Sequence, residues 1–69
     1  MSQRYRFLWT MGDIQISHTQ GTDSFFITRL SDNKWLNVYR SLKGAKSYIA
    51  KFFRVEYQDL KFIETKEVI

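Results

Sequence analysis

Three short polar interruptions divide residues 4–40, and their spacing limits the fold more than any other feature. They are Met11-Gly12-Asp13, Gln20-Gly21-Thr22-Asp23 and Ser31-Asp32-Asn33-Lys34. Four runs of strand character lie between them: RYRFLWT, IQISH, SFFITRL and WLNVYR. In the first, Tyr5, Phe7 and Trp9 alternate with Arg4, Arg6, Leu8 and Thr10. In the second, Ile14 and Ile16 alternate with Gln15 and Ser17, the period-2 pattern of a half-buried strand. A parallel crossover needs a dozen residues or more, so links of two to four residues make neighbouring strands antiparallel.

The period changes at SLKGAKSYIAKFFR, residues 41–54. Ser41 is suited to cap a helix N-terminus. From Leu42 onward the apolar residues fall at 42, 45, 48, 49, 52, 53 and 55, a single arc of about 160° at helical spacing. Lys43, Lys46, Ser47, Ala50, Lys51 and Arg54 occupy the opposite arc. Gly44, in the first turn, weakens the helix by up to about 1 kcal/mol relative to Ala.

Strands followed by a helix give an α+β layer fold rather than alternating βαβ units. The predicted architecture is a four-stranded antiparallel meander, with strands near 4–10, 13–18, 24–30 and 35–40. One amphipathic helix near 42–57 packs on one face. Leu60 and Phe62 flank Lys61, which is compatible with a short fifth strand at 60–64, and the residues after it are expected to fray.

The chain has 69 residues and reads as one domain, 1–69. A chain this short buries only about 60% of the surface its unfolded form exposes. There is no cysteine to staple it, so stability must come from its six Phe, four Tyr and two Trp, or from self-association at exposed sheet edges. The absence of cysteine fits a reducing compartment. The N-terminal residues lack a signal-peptide pattern, and no apolar run approaches the roughly 18 residues of a membrane span. A cytoplasmic protein without membrane contact is the resulting expectation.

Net charge is +4, unevenly spread. Through residue 54 there are nine Lys or Arg against three Asp, whereas residues 55–69 hold two Lys against four Asp or Glu. A basic body attracts polyanions. A sheet covered by one helix has a dry face and a wet one. Placing Tyr5, Phe7, Trp9, Ile14, Ile16, Phe25, Ile27, Leu36 and Val38 on the dry side leaves Arg4, Arg6, Gln15, Ser17, Phe26, Thr28, Trp35, Asn37 and Tyr39 outside. Aromatic faces stack bases at about 1–3 kcal/mol each, and arginine contacts phosphate or base. The rings and cations are expected to share this water-facing plane, with Lys43, Lys46, Lys51 and Arg54 forming a second basic surface on the helix. Strand propensity alone also accounts for the rings, and solubility alone for the lysines.

Enzymatic chemistry is not expected. His18 is the sole histidine, and no metal-binding or phosphate-cradling motif occurs. Asp13, Asp23 and Asp32 fall in turns, where Asp is structurally favoured. No metal or cofactor is expected. In architecture, residues 24–55 are similar to AP2-type and integrase N-terminal DNA-binding domains, which read DNA with the sheet face. That similarity assigns no residue a role. The sequence therefore points to a non-enzymatic nucleic-acid-binding module. The alternative is a small inhibitor or adaptor, of the sort mobile elements encode, docking on an acidic protein surface.

Overall fold

A computed structural model describes residues 3–69. Five strands form one antiparallel sheet: β1 (Tyr5–Met11), β2 (Ile14–Thr19), β3 (Phe25–Arg29), β4 (Lys34–Tyr39) and β5 (Ile63–Val68). Their spatial order is β4-β3-β2-β1-β5, and the helix α1 (Leu42–Phe53) packs on one face. The α+β meander with one covering helix is thus the observed fold.

Local chemistry fixes each connection. Met11 pairs with Ile14, leaving a two-residue loop whose first member, Gly12, has φ +59. Only glycine reaches that backbone region without steric cost. At the β3–β4 turn, Asp32 accepts from Arg29 Nε at 3.1 Å, from Arg29 Nη2 at 2.7 Å and from the Lys34 N–H at 3.1 Å. The Arg29 hydrogen bonds, with a smaller contribution from the Lys34 amide, hold the Asp32 carboxyl at about 2, below its ordinary value. The same bonds raise Arg29.

The core is small and mostly β-branched. Ile14 and Ile16 of β2, Ile27 of β3, and Ala45 and Ile49 of α1 are buried together. Trp9, Phe25, Leu36, Tyr39, Leu42, Tyr48, Leu60 and Phe62 close its sides.

β4 carries a bulge that changes which residues face the helix. Ile27 pairs with Asn37 and Thr28 with Trp35, so Leu36 is one residue more than the ladder needs. A bulge sets two residues opposite one and offsets everything beyond it by one position. Trp35 therefore faces out, as predicted. Tyr39 faces the helix beside Phe25, and its ring centroid lies 5.9 Å from that of Tyr48. Val38, predicted to be dry, is exposed, and Asn37 lies on the helix side.

Two boundaries also differ from the pattern-based prediction. α1 stops at Phe53 rather than near 57, because Arg54 adopts the left-handed conformation (φ 57). Its N–H bonds the Ala50 and Lys51 carbonyls, and the Val55 N–H returns to Ala50 at 2.9 Å, the pattern of a helix stop. After a 3₁₀ turn at Tyr57–Asp59, Leu60 and Phe62 pack on the core as a lead-in. The fifth strand then runs from 63 to 68 rather than 60 to 64. It does not fray: it pairs along β1, and the Ile69 N–H donates to the Arg4 carbonyl at 3.0 Å.

Candidate nucleic-acid interface

The predicted binding residues fall on two surfaces on opposite sides of the sheet. On the helix side, Ser41 caps α1, its Oγ accepting from the Gly44 N–H at 3.1 Å. That fixes the helix start and hence the phase of every side chain after it. Ala45 and Ile49 point into the core, so the arc carrying Lys43, Lys51 and Arg54 points to solvent. At 1.5 Å rise per residue, Lys43 and Arg54 lie about 16 Å apart along the axis.

The fourth cation has a neighbour that the pattern alone did not supply. Ala50, predicted on the exposed arc, is buried. It lies on the same flank as Lys46, whose Nζ sits 5.4 Å from the centroid of the Phe62 ring. The segment returning toward β5 therefore docks against that flank, and Lys46 rises over its edge.

Among the described residues the ion pairs are Arg6–Glu67 at 3.3 Å and Arg29–Asp32 at 2.7 Å. No carboxylate pairs with Lys43, Lys46, Lys51 or Arg54. The first turn of α1 contains no acidic residue, although the macrodipole favours one there.

The open sheet face has a different character. Cross-strand pairing places Val38, Phe26, Ser17, Leu8 and Thr65 in one row. The adjacent row holds Trp35, Thr28, Gln15, Thr10 and Ile63. Trp35 is 57% exposed and Phe26 42%, so both rings are available to a partner. The centre of the face is hydroxyl and amide, with Gln15 donating to Thr10 Oγ1 at 3.0 Å. Within the strands the charge on this face is at one corner, where Arg6 pairs with Glu67 and the exposed Arg4 precedes β1, while the exposed Arg40 follows the end of β4. Three strand spacings and four residues separate Arg6 from Trp35, about 19 Å. The structure thus brings Phe26 and Trp35 together, leaves Arg4 and Arg6 at the opposite corner, and withdraws Tyr39 to the core.

A further aromatic surface was not singled out by the sequence. Phe7, Trp9, His18 and Phe25 lie side by side on the helix side of β1, β2 and β3. His18 stacks on Phe25 at 4.0 Å between ring centroids, with planes 8° apart. Its Nδ1 donates to the Ser24 carbonyl at 3.0 Å. Phe7 and Trp9 border an open depression of about 200 Å³ with Glu64, Thr65 and Lys66. The period-2 pattern put Phe7, Trp9 and Phe25 on the dry face and gave His18 only a surface or turn role. Their partial exposure depends on how far α1 reaches, which no local signal encodes.

Among the described residues no three His, Cys, Asp or Glu side chains converge as a metal site. Among the described residues no helix is long and apolar enough to cross a membrane. The chain matches no family model, no curated protein and no solved structure.

Proposed function

We propose that this protein is a non-enzymatic module that binds nucleic acid, with the outer surface of α1 as its principal contact. The observation that carries this reading is the set Lys43, Lys46, Lys51 and Arg54, aligned on one helix surface without a paired carboxylate. A cation with no paired carboxylate keeps its full charge for an external phosphate, and several in a row track a backbone. Arg54 adds support. It occupies a left-handed backbone position where glycine is the usual residue. That placement costs about 1–2 kcal/mol, so a cation stands here where glycine would favour local stability.

Arg4, Phe26 and Trp35 play a secondary part in this reading. They lie on the other side of the sheet and would contact only a strand that wraps an edge. The exposed pair Phe26 and Trp35, on a nearly neutral face, supports the second reading: a protein partner seated over β3 and β4.

The test is a titration with fluorescent duplex DNA and single-stranded RNA at low salt. Micromolar binding that is lost in Lys43→Gln/Lys51→Gln and kept in Trp35→Ala supports the helix-centred reading. No binding at low salt overturns it. Binding lost only in Trp35→Ala moves the contact to the sheet.

A further inference from the structure

The two edges of the sheet are not equivalent. Along β4 the ladder is interrupted by the bulge at Leu36. The outward-pointing Val38 N–H is already taken by Asn37 Oδ1 at 2.8 Å. A bulged edge whose donor is occupied resists pairing with another strand. β5, by contrast, runs six residues without interruption, every one of them exposed. The Ile69 N–H bonds inward to Arg4, so the alternation of an antiparallel ladder turns the backbone groups of Glu64, Lys66 and Val68 outward. The edge also carries the three most exposed large apolar side chains among the described residues: Ile63 at 71%, Ile69 at 60% and Val68 at 59%.

We infer that β5 pairs antiparallel with β5 of a second copy, about a two-fold axis at Thr65, giving a continuous ten-stranded sheet. This inference does not rest on the nucleic-acid reading. The sequence of the strand selects both the occupant and the register. A two-fold axis at Thr65 sets Glu64 opposite the partner's Lys66, and Lys66 opposite the partner's Glu64. Opposite charges facing each other across strands are favourable, and like charges are not. Moving the axis to either neighbouring residue places Glu64 against the partner's Glu64, or Lys66 against the partner's Lys66.

In the monomer both charges rest on β1, and pairing requires each to turn outward across its own strand. Glu64 accepts from the Trp9 indole at 3.0 Å through one oxygen, which leaves the other oxygen without that bond. Lys66 Nζ rests 4.6 Å from the centroid of Tyr5. Because the axis is perpendicular to the sheet, both copies of α1 lie on the same side. The small core also gives self-association a physical motive, since a partner that binds only the folded state stabilises it.

Sedimentation velocity on the full chain over a hundredfold concentration range tests the pairing. The wild type sediments as a concentration-dependent dimer. Lys66→Glu and Glu64→Lys each turn two attractive pairs into repulsive ones and raise the dimer dissociation constant roughly thirtyfold. Mixing the two variants restores dimer, because each then faces its complement, and the double exchange Glu64→Lys/Lys66→Glu dimerises alone. Amide exchange on the wild type gives a readout free of substitution: the Glu64, Lys66 and Val68 amides gain protection with concentration. A wild type that stays monomeric throughout overturns the inference. So does a dimer that either single substitution leaves intact, or a mixture no more dimeric than its components.

Discussion

Trp35 and Tyr39 stand four residues apart on β4, so in a regular strand they would share a face and respond alike to truncation. The bulge at Leu36 separates them. Tyr39 packs on the core beside Phe25 and Tyr48, and its Cδ1 would lie only 3.2 Å from a Cβ at Gly44. Trp35 is 57% exposed and has Thr28 as its cross-strand neighbour. Removing a fully buried large ring costs about 3–5 kcal/mol, so Tyr39→Ala, which is less than fully buried, costs about 2–3 kcal/mol. Trp35→Ala loses a cross-strand contact of about 0.2–1 kcal/mol. A domain this small is stable by roughly 3–10 kcal/mol, so the first change removes a large share of the total and the second little. In thermal melts followed by circular dichroism, the difference is about 10–20 °C for Tyr39→Ala against less than about 8 °C for Trp35→Ala. Equal shifts, or a larger one at Trp35, would show that the bulge does not set the register described here.

Other perturbations probe separate parts of the fold. An NMR titration should place the Asp32 carboxyl near 2, and Arg29→Gln should move that midpoint up toward the ordinary value of about 3.9. Because the folded value is depressed, the contribution of this turn to stability is complete above about pH 4 and is lost as pH falls through about 2. An unchanged midpoint in the variant refutes the assigned cause. Ser41→Ala removes the cap on Gly44 and costs about 1 kcal/mol in urea unfolding, whereas Ser41→Asp costs much less. Arg54→Gly relieves the left-handed strain and raises the melting temperature while weakening nucleic-acid binding. A loss of stability there would contradict the backbone assignment.

The elements whose partners are close in sequence were legible from it. β1, β2 and β3 followed from the alternation about Ile14, Ile16 and Ile27, and the start of α1 followed from Ser41 and the apolar arc. Elements that depend on distant contacts were not. The bulge is invisible because Leu36, Val38 and Tyr39 each suit either face of a strand, and only packing against α1 decides which turn inward. The helix end depended on Arg54 taking a conformation that its side chain disfavours. Leu60 and Phe62 do point inward, but to the core rather than along a neighbouring strand. The strand that follows them, IETKEV, has no strong alternation, and β1 supplies its register. At the candidate site, the exposed phase of Lys43, Lys51 and Arg54 followed from the helix period. The pairing of Arg6 with Glu67, sixty-one residues away, had no local signal.

The central claim is that the unpaired cations of α1 meet phosphate, and salt dependence tests it most directly. Four contacts give a slope of log affinity against log salt near about −3.6 on duplex DNA, and each cation removed takes away about 0.9. The wild type should show that slope, with Lys43→Gln/Lys51→Gln falling to about half of it and Arg6→Gln leaving it unchanged. A slope near zero, or one that responds to Arg6 but not to Lys43 and Lys51, would contradict the account.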